Sequence, residues 1–418
     1  MVFSRMRPNS CITVAQPKAP ACTSDGPTGF SYHEALHLPV AATGPAPTTS
    51  PSKISSMPQS PTGRPTLEDV ARLADVSLGS ASRALSDSSL VKPKTLKRVM
   101  QAVEQLGYVR NGAARALASR RTFSVGAVYP TLHNPAFADS IHALQQTLWG
   151  FGYQLVVASH EYVEEREYEV VRSIVERGVD GLILVGVEHD HQVFDLVRQR
   201  KLPLVLTWTL EQPPYGHTVG FSNRQAAYDL TRAVLAKGHK DIAVICGSRE
   251  HNERARQRVS GTSEAMAERG LTLREEWIIE QPLSVEGGKL AMQRILAMGQ
   301  RPTAVMCNTD TLAIGALHEC RVHGIAVPDQ MSITGYDDIV LASLTVPPLA
   351  TVHIPTAQIG TFSARRLVGL IENRDLGEPP ALNHEVVIRE SLGPAPSTLQ
   401  PEMKRGKLSR SARIVADS

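Results

Sequence analysis

Between Thr66 and Leu106, apolar residues recur at three- and four-residue intervals in three short runs, the spacing of amphipathic helices. In TLEDVARLA, Leu67, Val70, Ala71 and Ala74 share one face, and Thr66 with Asp69 three positions on makes a capping box. Asp75 suits the left-handed turn that stops this helix, and Ser77 caps the next, SLGSASRAL. Pro93 fits the first position of PKTLKRVMQAVEQLG, whose Leu96, Val99, Val103 and Leu106 face inward. Two short helices across a tight turn, backed by a third, predict a helix-turn-helix.

From Phe123 the pattern changes to apolar runs alternating with amphipathic helices. SVGAVYP, YQLVVAS, DGLILVG and PLVLTWT form one series of strands; DIAVICG, WIIEQPL, TAVMCNT and SITGYDD form a second. Strand-helix alternation predicts an α/β body of doubly wound parallel sheets. The pattern runs twice, over roughly 122–222 and 223–350, which predicts two similar subdomains with a cleft between them. Ligands of such sheets bind beyond the carboxyl ends of the strands.

Charge sharpens this division. The 418 residues carry 44 Lys+Arg and 41 Asp+Glu, a net of +3, but residues 64–121 alone are +6 and 122–398 are −8. A basic module on an acidic body predicts a polyanion partner for the module. Residues 1–63, rich in Pro, Ser and Thr, are expected to be disordered, as an overextended start or a dispensable tail; so is the basic tail 393–418. The five Cys form no CxxC pair, which argues against a disulfide scaffold or zinc ribbon. No run of 18 apolar residues occurs, nor the apolar core of a secretory signal, so no membrane partner and a cytoplasmic location are expected. There is no P-loop, GxSxG elbow or HExxH, and an enzyme is not expected. His189-Asp190-His191 reads as a solvated loop, and Val285-Glu286-Gly287-Gly288 as a helix start. Neither a metal nor a cofactor is expected.

TLEDVARLADVSLGSASRAL and VKPKTLKRVMQAVEQLGYVRNGAARALA, followed in order by NPAF, DGLIL, VGFSN, KGHKDIAVICG, TDTLAIGAL, GIAVPDQMSITGYDD and PPLATV, resemble the LacI (lactose repressor) family of bacterial transcription regulators over 66–392. The resemblance implies a DNA-binding domain at 64–110, a hinge helix and linker at 111–121, and a periplasmic-binding-protein-like body at 122–392 that binds effector and dimerises. A homodimer on palindromic operator DNA, controlled by a small effector, is the function it implies. The recognition helix would present Leu78, Gly79, Ser82 and Arg83 to the major groove, Arg83 bonding either guanine or a phosphate. Thr66, Ser77, Lys92, Lys94 and Thr95 are further DNA-contact candidates, Lys92 standing where many relatives carry a small polar cap. In the hinge, Asn111, Arg115, Leu117 and Ala118 are candidates, with Leu117 at the family's minor-groove wedge. Gly112 weakens this helix, which is expected to order only on DNA.

In the body, Arg258 of RVSG matches the family's effector-binding arginine and Asp310 its binding aspartate. Asn134 and Phe137 fall on the first strand-to-helix loop, although plain core packing would also explain Phe137. Trp208, ending the fourth strand, could wall a sugar, and Asn223 and Arg254 are further candidates. Asp337 and Asp338 read as structural residues of the crossover. SHEYVEEREYE, GLIL and VGFSN look closest to the gluconate-repressor subgroup, which implies a sugar or sugar-acid effector. The alternative from another class is a solute-binding protein without a transcriptional role. No leucine heptads follow residue 392, so a tetramerising coiled coil is not expected.

Overall fold

The computed structural model describes residues 64–396, apart from 113–115, 117, 118, 120 and 378. The N-terminal extension, the end of the basic tail, and Arg115, Leu117 and Ala118 lie outside the described residues.

The head contains helices α1 (Leu67–Leu73), α2 (Leu78–Ser86) and α3 (Pro93–Leu106). Both halves of the capping box form: Asp69 N–H donates to the Thr66 hydroxyl (3.3 Å), and Thr66 N–H donates to the Asp69 carboxylate (2.9 Å). Asp75 takes φ 48°, and Ser77 caps α2 by accepting from Ser80 N–H. Lys92 gives α3 no side-chain cap, and Pro93 begins the helix. Val70, Ala74, Ala84, Val99 and Ala102 close a small core. Arg98 Nε donates to Ala74 O (2.7 Å) and Arg110 Nη1 to Leu85 O (3.0 Å), so part of the head's positive charge holds its own turns.

The body holds two parallel sheets. The first, in the order β2-β1-β3-β4-β5, comprises β1 (Ser124–Tyr129), β2 (Gln154–Ser159), β3 (Gly181–Val185), β4 (Leu204–Thr207) and β5 (His217–Val219). Helices α4 (Pro135–Gly150), α5 (Glu164–Glu176) and α6 (His191–Gln199) connect its strands. The second, β7-β6-β8-β9, comprises β6 (Ile242–Cys246), β7 (Ile278–Glu280), β8 (Ala304–Cys307) and β9 (Ser332–Thr334). It carries α7 (Asn223–Ala236), α8 (Glu253–Ala267), α9 (Val285–Leu296) and α10 (Asp310–Val322). The central strands β3, β6 and β8 are buried throughout, as the unbroken apolar runs require when helices cover both faces.

The two-part division differs from the sequence expectation in one respect. After a short antiparallel pair, β10 (Thr351–His353) with β11 (Glu385–Val387), the intervening helix α11 (Thr356–Glu372) returns to the first lobe. It packs along α4, with Gly360 against Ser140 O, where a Cβ would come within 2.2 Å of that oxygen. The chain therefore crosses between lobes at 220–222 and again on either side of α11. β5, β10 and β11 are three-residue strands, too short to show alternation.

Candidate functional site

The carboxyl ends of both sheets meet at a cleft, and the loops there carry most of the residues singled out in the sequence. Asn134, the N-cap of α4, accepts from Ala136 N–H through Oδ1 (3.0 Å). Phe137 stands edge-on between Tyr129 and Trp208, at centroid distances of 5.4 and 4.8 Å. Trp208 follows β4 with φ 69°, a left-handed conformation for a non-glycine residue, and its amide donates to Val219 O. Gly220 permits this turn, since a Cβ there would lie 2.3 Å from Thr209 N. Core packing and pocket lining are thus combined in Phe137.

Asn223 joins the two sides. Its Nδ2 donates to Trp208 O (2.8 Å) while its Oδ1 accepts from Arg258 Nε (2.9 Å). Arg258, buried on α8, also donates to Asn308 O, and its guanidinium lies 3.8 Å from the Tyr336 ring centroid. Arg254, one turn earlier, donates to Val185 O of the first lobe (2.8 Å).

These residues enclose an inner cavity of about 30 Å³, lined among others by Asn134, Phe137, Trp208, Arg258, Asn308 and Asp337. Trp208 Nε1, Asn308 Nδ2 and Asp337 Oδ2 are buried and have no hydrogen-bond partner, an uncommon condition in protein interiors. Two donors and an acceptor, beside a guanidinium, present the complement of a small polyhydroxylated or acidic molecule. The space holds only about two waters, too little for a sugar-sized molecule with the lobes as they stand. Tyr162, Asn252 and Arg254 also border an outer cavity of about 950 Å³.

Two expectations are revised. Asp310 is not brought to the cavity wall: it is completely buried, its Oδ1 accepting from the Thr351 hydroxyl (2.6 Å) and its Oδ2 from Ile339 N–H (2.8 Å). Burial, reinforced by the charge of Asp337, pushes its carboxyl up to about 8. The cavity carboxylate is instead Asp337, which burial pushes to about 7 against the opposing pull of Arg258. Asp338 keeps the structural part expected of it, accepting from Arg389 (2.7 Å). His189 is not solvated. Its Nδ1 lies 2.6 Å from Glu167 Oε1, with His160 Nε2 at 3.8 Å from the same oxygen. Burial lowers the His160 pKa. His191 is exposed, and among the described residues no group of three potential ligands is placed to hold a metal ion. Val285 to Gly288 begin α9, as expected.

In the head, Leu78, Gly79 and Arg83 of α2 are exposed, with Ser82 partly so, whereas Ala81 and Ala84 are buried. The Arg83 guanidinium lies alongside Gly79, 3.6 Å from where a Cβ would stand. Lys92 and Lys94 at the start of α3 are exposed and Thr95 partly exposed; Asn111 is exposed where the chain leaves the head.

A helix-turn-helix head in one chain with a two-lobed, cleft-bearing body defines a ligand-responsive DNA-binding regulator. A family model described as "Bacterial regulatory proteins, lacI family" matches residues 66–111, and one for a periplasmic binding protein-like domain matches 231–392. The transcriptional repressor PurR of Photobacterium profundum is 32% identical over 333 residues, covering 78% of this chain and 98% of the relative. The transcription regulator GntR of Chromobacterium violaceum superposes with a TM-score of 0.61 at 28% identity, covering 64% of this chain and 99% of that one. The lac repressor dimer bound to operator and the anti-inducer ONPF gives 0.71 at 25% identity, covering 79% of this chain and 99% of that one. The chain belongs to the LacI family of transcriptional regulators. Among the described residues, no helix is long and apolar enough to cross a membrane.

Proposed function

We propose that the protein is a cytoplasmic homodimeric repressor whose affinity for a palindromic operator changes when a sugar acid, D-gluconate or a close relative, occupies the inner cleft. The observation that carries this reading is the cavity beside Arg258, where Trp208 Nε1, Asn308 Nδ2 and Asp337 Oδ2 lack partners. Hydroxyl groups satisfy such a mixed set, and a carboxylate suits the guanidinium. In this reading α2 enters the major groove, Arg83 pairs with guanine, and Leu78 touches a thymine methyl. The hinge segment, with Arg115, Leu117 and Ala118, enters the minor groove with Leu117 as wedge. Asp337 takes the carboxylate role first expected of Asp310.

A carboxylate on the ligand separates this from a neutral-sugar reading. Calorimetric titration of the full chain with D-gluconate and with D-glucose is expected to favour gluconate by about tenfold, the effect of one charge-assisted contact. Equal affinities would remove the acid from the assignment, and binding of neither would remove carbohydrate altogether.

A further inference from the structure

The rim of the cleft carries direct contacts between the two lobes. The end of β3 and the loop that follows it, residues 185–188, receive the start of α8 from the opposite lobe. Val187 N–H donates to Glu253 Oε1 (3.2 Å), Arg254 Nη1 donates to Val185 O (2.8 Å), and Arg256 pairs with Glu188. Outside this centre, His251 Nε2 lies 3.1 Å from Glu164 Oε2, and Gln257 donates to Glu211 (3.0 Å).

The receiving surface is a notch made by one missing side chain. Gly186 has φ 91°, and a Cβ there would lie 1.9 Å from Arg254 Nη1 and within 2.9 Å of both Glu253 oxygens. Glu253 and Arg254 are both buried, at the start of the helix that the second lobe presents to the first. Their satisfaction is incomplete: Glu253 Oε2 has no hydrogen-bond partner, and its Oε1 is 3.5 Å from Arg254 Nη1. Burying two charges is unfavourable unless each finds full partners. Separation of the lobes would rehydrate both.

We infer that Glu253 and Arg254, seated on Gly186 and Val187, form a cross-cleft clasp that sets the balance between the closed and open body. Glu253 is a positioning residue: it is absent from the lining of the inner cavity and acts on the cleft through closure. The incomplete bonding keeps the clasped state near balance with the open one. Ligand contacts in the inner cavity can then tip the equilibrium, because a ligand shifts two states only by its differential affinity for them. The consequence for effector response rests on the function proposed above; the clasp itself does not.

The test therefore uses no effector and no DNA. Spin labels are placed one on each lobe through His191→Cys and Glu286→Cys, both exposed side chains, in the full chain with Cys11→Ser and Cys22→Ser. Pulsed electron resonance then reads the distance between lobes. Wild type is expected to show a short-distance population, and Glu253→Ala is expected to move roughly half or more of it to longer distances. Gly186→Ala acts on the other face of the clasp and is expected to do the same. Glu253→Ala keeps the idea testable where strain at Gly186 prevents folding. An unchanged distance distribution in Glu253→Ala, with an unchanged circular dichroism spectrum, overturns the clasp. That outcome leaves the effector assignment intact, just as failure of carbohydrate to bind would leave the clasp intact.

Discussion

The head and the cleft use polar side chains in opposite ways. On α2, Arg83 is exposed with no bond to another side chain among the described residues, and Leu78 stands in solvent. In the cleft, Arg258 is buried and spends its donors on Asn223 and Asn308 O. Exposed side chains cost little to present and can be changed without disturbing the fold. Buried ones are tied to the lobes on both sides, so what they bind is coupled to where the lobes sit. Under the proposed function, the exposed surface suits reading DNA and the buried cavity, tied to both lobes, suits switching.

Removing Arg258 should have the largest effect. Arg258→Ala leaves Asn223 and the neighbourhood of Asp337 without their cation, and stability is expected to fall by about 3 kcal/mol, as measured by urea denaturation. The ligand response should disappear while operator affinity at low temperature stays. A stable variant that still responds would break the comparison from the cleft side.

On the head, Arg83→Ala should weaken operator binding by about 1–3 kcal/mol, the worth of a bidentate guanine contact. Its melting temperature should not move. A uniform loss across all DNA sequences, with a smaller salt dependence, would instead assign Arg83 to phosphate.

A smaller effect concerns pH. Asp310 and Asp337 are raised to about 8 and about 7, from an ordinary 3.8. The folded state then holds these protons more tightly than the unfolded chain does. Their contribution to stability is greatest near and below pH 4 and is lost as pH rises through about 8. Over pH 6 to about 8.5 the melting temperature should decline, and Asp310→Asn should flatten that slope. An unchanged slope in Asp310→Asn would show that the decline belongs to other groups.

Much of this was legible in the sequence where one residue's role depends on its own element. Thr66, Asp69, Asp75 and Ser77 announce their caps and turn. Arg258 and Trp208 line the cavity, where strand ends and a family motif locate them. Asp310 and Asp337 stand the other way round from expectation, which assigned the cavity role to Asp310 and the structural one to Asp337. Both lie at the carboxyl end of the second sheet, and which carboxylate faces the cavity depends on Thr351 and Ile339, brought in from later in the chain. His189 was misread for the same reason, since Glu167 reaches it from α5. The return of α11 to the first lobe is equally long-range: it rests on Gly360 meeting Ser140 O.

Under the proposed function, occupancy of the cleft controls DNA binding through Arg258. It is tested most directly by fluorescence anisotropy of a duplex selected by this chain, titrated with protein in the presence and absence of D-gluconate and a panel of related sugar acids and sugars. At least one member is expected to change operator affinity by about tenfold in wild type, a typical coupling strength, and to leave Arg258→Ala unaffected. An affinity that no member changes, or a response that persists in Arg258→Ala, would contradict it.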